Sequence, residues 1–590
     1  MKNRVTILLV FFVVLSIILI GFLVDRMILR RQELMTNRFT DKKFIALMEG
    51  LIDEGVFRAD GKKIAVDEKM LSEKRLGRET KERVQNSAAF LYEKDGRIYF
   101  DSQSVSISSS KKAGNETVVR GGFLDRNGIT LVKSLYDKKT GRVQREYVSG
   151  MESYPVIGHY NAVFGTRNLE KELDSYLTGA THNPVYGDAD DPMIKIKLGD
   201  TVVLTIDSAI QAVAYDLMKE KRGAAVVLDV KTGEVLAAVS TPSFDPNTKD
   251  GKIWRETFKD KKERRYENRT FQALYPPGST FKAVVAAAWL EEGSRKNEGK
   301  DYSIRCTDKT KNRFDISDIH NHGIAGIDKA FIESCNQFFS EAGVKTGVEV
   351  LHYAARFGFN EKVNLVPQLK HAVYNAEASL AFSWREFDGS RERAGAYKAA
   401  DFRKNPKVIA QCSIGQNLVT ATPLQMAMVA GTIANKGVMM NPYLVKEIRT
   451  GDGKSMVIEA KPIEKGRIVQ RATAEKIANL MESVMITGTG KNVKKVYYEN
   501  SVFTTAPKGK NTVSIRISGK TGTAEVGDRN GNGSIDADEK PHSWFIGFAP
   551  ADNPRIAIAV LAENQGLGSL TAAPIAMDVL AEALNRTSRK

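Results

Sequence analysis

The chain has 590 residues, 42% of them hydrophobic, which is enough for several domains with ample cores, and 3 cysteines, Cys306, Cys335 and Cys412. So odd and sparse a set excludes a disulfide-scaffolded fold and points to free buried thiols. The formal net charge of +16 favours anionic surfaces, and no nucleic-acid-binding motif accompanies it, so membrane lipid or an anionic wall polymer is the expected partner in place of nucleic acid, with simple solubility an equal reading of the charge.

Residues 5–24 are nearly all apolar and carry no charge. At about 1.5 Å per residue they reach across a hydrocarbon core of about 30 Å. The run ends in Val24-Asp25-Arg26-Met27 instead of a small-residue cleavage site, so it reads as a retained transmembrane helix after a cytoplasmic tail, residues 1–4. Lys2 and Arg4 before it and Arg26, Arg30 and Arg31 after it leave the orientation unset by charge. A membrane-proximal module follows over residues 25–117, with a hairpin expected around Lys94-Asp95-Gly96. Next, Arg120-Gly121-Gly122-Phe123-Leu124-Asp125-Arg126-Asn127-Gly128 places a turn between apolar strands, and Asn168-Leu169-Glu170 lies further on.

Strand-like runs at 223–229 and 233–239 flank Lys231-Thr232-Gly233, which reads as a hairpin turn. In Tyr275-Pro276-Pro277-Gly278-Ser279-Thr280-Phe281-Lys282 the Pro-Pro-Gly run stops the preceding segment, and the apolar run 283–290 predicts a buried helix with Ser279 in its first turn. Residues three apart share a helix face, so a buried, neutral Lys282 could take the proton of Ser279. The same spacing at Ser108/Lys111 and Ser109/Lys112 lacks helical periodicity and reads as a solvated loop.

His320 and His322 have no evident third ligand and read as part of a polar loop. Ser334-Cys335-Asn336 lies in a helix-like stretch, 330–339, where a hydroxyl could relay a proton and an amide could hold a substrate amide. The charged run 384–393 reads as a solvated insertion. Lys-Thr-Gly occurs at Lys139, Lys231, Lys345 and Lys520, but only Lys520-Thr521-Gly522-Thr523 follows the other two elements on a strand-like segment, 513–524. A basic, hydroxyl-rich strand edge suits a peptide that ends in a carboxylate.

Asp528, Asn530, Asn532, Ser534, Asp536 and Glu539 then fit the oxygen positions of a calcium loop, D-x-[DN]-x-[DN]-G-x5-E. Pro541 argues against an exit helix, and a polar turn between two strands explains the composition as well, so a structural calcium ion and a plain turn both stand. Strands at 543–549 and 555–562 close the series around a 550–554 turn.

Ser-x-x-Lys, Ser-x-Asn and Lys-Thr-Gly in this order are the signature of penicillin-binding proteins and serine β-lactamases. Together with Arg120-Gly121, Leu204-Thr205-Ile206-Asp207, Ser413-Ile414-Gly415-Gln416, Thr422-Pro423-Leu424-Gln425-Met426 and His542-Ser543-Trp544-Phe545-Ile546-Gly547, they make residues 118–585 resemble the class B penicillin-binding proteins, the membrane-anchored monofunctional transpeptidases of bacterial cell-wall synthesis. Departures are Asn168 and Asn417 where the family often has glycine, and the intervening residues 40–118. No segment resembles a glycosyltransferase.

The resemblance implies an α+β architecture, the penicilloyl-serine-transferase fold, with a five-stranded antiparallel sheet between helical layers. It divides the chain into a mostly β pedestal, residues 118–200, and a transpeptidase domain, residues 201–590, held outside the cytoplasm by a single pass through the bacterial cytoplasmic membrane. It implies Ser279 as nucleophile, Lys282 as base and Ser334 as proton relay. Asn336 would hold the substrate backbone, and Lys520, Thr521, Gly522 and Thr523 its terminal carboxylate. The backbone N–H groups of Ser279 and Thr523 would form the oxyanion hole. No cofactor is required. The implied partners are peptidoglycan stem peptides, β-lactams as inhibitors and a SEDS-family glycan polymerase in the membrane. A D,D-carboxypeptidase shares the acylation chemistry and is the nearest rival; a β-lactam sensor would carry several membrane helices.

Overall fold

The computed structural model describes residues 116–588, apart from 138–140, 162, 188–194, 297–301, 308–309, 389–390, 399–400, 402–403, 510–511 and 528–535, together with 51–52, 56–60, 63–73, 91–94 and 97–100. The expected membrane helix, residues 5–24, and four of the calcium-loop positions, Asp528, Asn530, Asn532 and Ser534, lie outside the described residues. Among those described, no helix is long and apolar enough to cross a membrane.

The centre of the molecule is an antiparallel sheet of β1 (Gly223–Asp229), β2 (Val235–Thr241), β3 (Ser518–Ala524), β4 (His542–Ala549) and β5 (Ile556–Ala562), in spatial order β2-β1-β5-β4-β3. Successive strand residues point to opposite faces. Val226 and Leu228 therefore enter one core while Ala225 and Val227 enter another, and in β5 Ala557 and Ala559 oppose Ile558 and Val560. Burial on both faces favours apolar residues at successive positions, which is why β1, β2 and β5 read as nearly continuous apolar runs.

Six helices position the site: α1 (Lys282–Lys296), α2 (Ile327–Ile332), α3 (Asn336–Thr346), α4 (Pro423–Ala434), α5 (Arg471–Ile486) and α6 (Ala572–Ser588). On one face lie α1 and α4, with Val284, Val285, Met426 and Val429 in the core shared with Val226. On the other, α6 contributes Val579 and Leu580 beside Ile210 and Ala214 of the helix Ser208–Met218. The start of α4 follows from local chemistry: the Thr422 hydroxyl accepts the Gln425 N–H at 3.1 Å, and Pro423 fills a first-turn position that needs no donor.

Two expectations change, and the 384–393 insertion gains a shape. The run 513–524 is not one strand: Val513–Ser514 pairs with Tyr497–Glu499 in a separate sheet, and only Ser518–Ala524 joins the central one. Ile515 and Ile517 pack into the same core throughout the crossing, so the apolar alternation never marks it. The segment 330–339 breaks into α2 and α3, and the 384–393 insertion forms a hairpin, Ser383–Asp388 with Arg391–Ala396. The expected hairpin near Lys94 has Leu91–Lys94 paired with Arg97–Phe100.

The Arg120 and Glu170 elements, distant in sequence, meet. Glu170 is fully buried and binds Arg120 Nε at 2.7 Å, Arg145 Nε at 2.8 Å and the Tyr147 hydroxyl at 3.1 Å. Burial alone would raise its carboxyl, but Arg145 and Arg120 overcome this and hold it below its ordinary range. The neighbouring six-stranded sheet takes Phe123–Leu124, Thr130–Asp137, Arg142–Tyr147 and Thr201–Leu204 from the first part of the chain, and Val445–Arg449 and Met456–Glu459 from the second.

Candidate active site

Ser279 sits, half-buried, in a tight 3-10 turn, Gly278–Phe281, from which α1 continues, so it precedes the α-helix instead of occupying its first turn. Two proline-rich constraints hold that turn. Trp544 Nε1 donates to the Pro276 carbonyl at 3.0 Å, and Thr280 Oγ1 to the Pro277 carbonyl at 2.7 Å. Tyr275, just upstream, exchanges backbone hydrogen bonds with Ala421 and gives its hydroxyl to Glu563 at 2.7 Å, a carboxylate that also receives Arg269 at 2.8 Å.

The turn lies against β3 with almost no clearance. A methyl group on Gly278 would come within 2.8 Å of the Thr523 carbonyl, and one on Gly522 within 2.9 Å of the Thr280 methyl, so the residues on either side of Ser279 abut Gly522 and Thr523. Behind it, the Gly278 N–H donates to the Gly415 carbonyl at 2.9 Å. Gly415 has φ 76°, and a Cβ there would meet the Gly278 carbonyl at 2.1 Å. Gly415→Ala is expected to cost about 2 kcal/mol or more and to displace the serine turn. Both a lowered unfolding midpoint and slowed labelling by a fluorescent penicillin will report it. Gly453→Ala is the control, because Gly453 has a similar φ of 71° with nothing near a Cβ.

Lys282, Ser334, Asn336 and Lys520 form one hydrogen-bonded line. Lys282 Nζ lies 2.7 Å from the Ser334 carbonyl, 2.7 Å from Asn336 Oδ1 and 3.3 Å from Ser334 Oγ, while Lys520 Nζ donates to Ser334 Oγ at 2.8 Å. Both lysines are wholly buried, over the Phe339 and Phe331 rings respectively. Burial pushes the Lys282 amine down to about 8 against the opposing pull of Asp318. Burial and then the charge of Lys282 push Lys520 well below its usual range. A neutral Lys282 has two N–H bonds, and the pure acceptors Ser334 O and Asn336 Oδ1 match them, so its lone pair is left to accept, facing the Ser334 hydroxyl at 3.3 Å.

Ser334 is not helical: φ 62° puts it in the left-handed region, at a cost of about 1–3 kcal/mol for a non-glycine residue. The break between α2 and α3 turns its hydroxyl and carbonyl toward the two lysines while Asn336 begins α3. Sequence reasoning missed the group that fixes this corner. Asp318 Oδ1 accepts the Asn336 N–H at 2.6 Å and Oδ2 the Gln337 N–H at 3.0 Å, so an acidic residue covers the start of α3. A spacing of some eighteen residues gives no local signal for it. Thr489, in the turn after α5, was missed too; its hydroxyl lies 2.6 Å from the Thr521 hydroxyl.

His322 departs from the polar-loop expectation. It is buried, with Nδ1 3.1 Å from Cys306 Sγ, while Cys306 Sγ and Cys335 Sγ lie 3.1 and 3.3 Å from Asp318 Oδ2. These four side chains are a set able to hold a metal; His320 is exposed and outside it. Of the calcium-loop residues, the described Asp536 and Glu539 meet in a hydrogen bond from the Asp536 N–H to Glu539 Oε2 at 3.1 Å.

Residues 223–581 match the penicillin binding protein transpeptidase domain. The peptidoglycan D,D-transpeptidase PbpA of Mycolicibacterium smegmatis is 30% identical over 495 residues, 79% of this chain and 89% of that protein. The D,D-transpeptidase domain of a peptidoglycan glycosyltransferase from Eggerthella lenta has the same fold, with a TM-score of 0.63 and 27% identity over 80% of this chain and all of that one. Penicillin-binding protein A of M. tuberculosis, solved as a penicillin G acyl-enzyme complex, gives 0.62 and 26% over 79% of this chain and 100% of its own.

Proposed function

The chain belongs to the penicillin-binding protein transpeptidase family, and from that premise we propose how its residues divide the work of a peptidoglycan D,D-transpeptidase in bacterial cell-wall synthesis. Ser279 attacks the carbonyl of the penultimate D-Ala of a stem peptide, and Lys282 takes the hydroxyl proton. The C–N bond to the terminal D-Ala breaks as the proton that Lys282 took passes through the Ser334 hydroxyl to the departing amine, which leaves Lys282 neutral again. An ester to Ser279 remains. An amine from a neighbouring strand then attacks that ester and gives a proton to the neutral Lys282, which hands it to the departing Ser279 oxygen, so the hydroxyl is restored and a cross-link is left.

The line Lys282–Ser334–Lys520, continuous at 2.7 to 3.3 Å, carries this reading, because it connects Lys282, three residues after the nucleophile, to the Lys520 amine that would meet the substrate's carboxylate. Lys520, Thr521 and Thr523 hold that carboxylate by hydrogen bonds, and the incoming negative charge favours the protonated Lys520 that burial disfavours in the free site. Asn336 holds the peptide backbone. Strand β3 is an edge strand of the sheet, which suits a substrate laid alongside it. Backbone N–H groups of Ser279 and Thr523 form the oxyanion hole, each donor worth on the order of 3 kcal/mol. A β-lactam, which mimics the acyl donor, is trapped on Ser279.

Residues 5–24 anchor the protein in the cytoplasmic membrane, with the catalytic domain on the outer side where cross-linking takes place. Residues 118–200 serve as the pedestal and residues 201–590 as the transpeptidase domain, tied together by the six-stranded sheet that both contribute to. The resemblance to class B proteins supports a SEDS-family glycan polymerase as membrane partner, in contact with the pedestal. To test the reaction, the full-length chain in detergent receives a stem peptide ending in D-Ala-D-Ala and an amine acceptor. Cross-linked product is expected to dominate; hydrolysed donor alone, at saturating acceptor, would make the protein a carboxypeptidase.

A further inference from the structure

We propose that Lys259, Lys261 and Lys262 form a basic rim that holds a peptidoglycan strand through the carboxylates of stem peptides other than the one that reacts. The inference rests on the transpeptidase reading and adds to it a second point of contact, specific to a polymeric substrate.

Positive charge is concentrated at this place. Residues 249–265 carry eight lysines and arginines against four acids. Arg264 and Arg265 meet Glu267 and Asp260 at 3.1 and 3.2 Å, whereas Lys259, Lys261 and Lys262 are exposed and make no ion pair among the described residues. The backbone that presents them is fixed. Trp254 and Thr257 bury one side of the helix Gly251–Lys259, and Asp260 Oδ1 accepts the N–H groups of Lys262 at 3.0 Å and Glu263 at 2.9 Å.

The fold sets this rim at the nucleophile's end of the sheet. Thr241, Gly223, Ala562, Ser543 and Thr523 are partners in one row across all five strands. The chain leaves β2 at Thr241 and builds the rim from there, at the end where Thr523 stands. Four strand spacings of about 4.8 Å put about 19 Å between those two threonines, so a carboxylate held at β3 is out of reach of the three lysines. The rim is also tied to the serine turn. Buried Arg269 donates to the carbonyls of Glu263 at 2.7 Å and Arg264 at 3.2 Å, and to Glu563 at 2.8 Å. The same Glu563 oxygen receives the hydroxyl of Tyr275, four residues before Ser279, at 2.7 Å. A strand not yet cross-linked displays one stem peptide after another, each ending in a carboxylate, and is therefore a flexible polyanion. Compact ammonium groups on rotatable stems suit carboxylates at irregular positions, and an unpaired cluster of them raises the local concentration of such a chain.

The test compares the full-length chain in detergent with a Lys259→Gln/Lys261→Gln/Lys262→Gln variant. Each is given a short stem peptide with an amine acceptor and, separately, uncross-linked peptidoglycan strands. On strands at low salt the variant is expected to lose about tenfold in kcat/KM, with short-peptide turnover, fluorescent-penicillin labelling and unfolding midpoint unchanged. Salt at about 1 M, which screens charges beyond about 3 Å, should bring the wild-type chain down to the variant's rate on strands. Insoluble strands should retain the wild-type chain on sedimentation and fail to retain the variant, and amidation of their carboxyl groups should release the wild-type chain. Equal turnover of strands by the two proteins would overturn the proposal, as would retention that survives amidation or a matching loss on the short peptide. Retention on phosphatidylglycerol vesicles instead of strands, abolished by the three substitutions, would assign the rim to the membrane and overturn it as well. Short-peptide turnover by the wild-type chain tests the transpeptidase reading by itself, whereas sedimentation requires no turnover, so the two readings fail separately.

Discussion

Ser279→Ala will eliminate covalent capture of a fluorescent penicillin and reduce D-Ala release from a stem peptide by about 10⁴–10⁶-fold, the scale seen when a serine nucleophile is removed. The fold should survive intact. Ser279 is half-buried, whereas the turn that carries it is held by bonds from other groups, the Trp544 indole to Pro276 and the Thr280 hydroxyl to Pro277. An unchanged unfolding midpoint beside absent labelling is therefore the expected pair of results. Persistent covalent adduct on the alanine variant, located by peptide mapping to another residue, would remove Ser279 from its assigned role.

Lys282→Met will cost about 10²–10⁴-fold in acylation rate, the usual contribution of a positioned general base. Methionine keeps most of the volume without the amine, so Ser334 O and Asn336 Oδ1 lose a donor they now have at 2.7 Å. An unsatisfied buried acceptor costs about 1–3 kcal/mol, offset by no longer burying an amine. The pH profile separates this role from a merely structural one. Burial holds Lys282 at about 8, so the neutral, proton-accepting form grows as pH rises through that value. Wild-type acylation should climb with pH around about 8 and level off above it, and the methionine variant should lose that rise. A wild-type rate that falls as pH rises through this range would mean the charged amine is the working form.

The parts of this architecture that can be read from the chain are those specified by neighbours in sequence. Continuous apolar runs such as Ala224–Val227 announce a sheet buried on both faces, and Pro-Pro-Gly before Ser279 announces a sharp entry to a helix. Ser334, Asn336 and Lys520 are found because their spacing and order match known chemistry. What escapes is set by contacts across the fold. The break at Ser334 carries no proline or glycine; its left-handed backbone is imposed by Lys282 on one side and by Asp318 at the start of α3 on the other. Asp318 itself looks like any loop acid until the hairpin brings it to Cys335. The switch of strand partner near Arg516 is hidden for a related reason: Arg516 reaches out to Glu482 at 2.5 and 2.7 Å while Ile515 and Ile517 keep an uninterrupted apolar beat.

The backbone contacts among Gly278, Gly415 and Thr523 also bear on how such an enzyme can escape an inhibitor. A cell under drug selection commonly narrows a binding cleft by enlarging a side chain, but at these two glycines any added carbon strikes main-chain oxygen within 2.1 to 2.8 Å and shifts the serine that the natural substrate needs equally. Adaptive changes are therefore channelled away from the nucleophile's cradle, toward positions where an added side chain meets no main-chain oxygen and the cell's own chemistry is left intact.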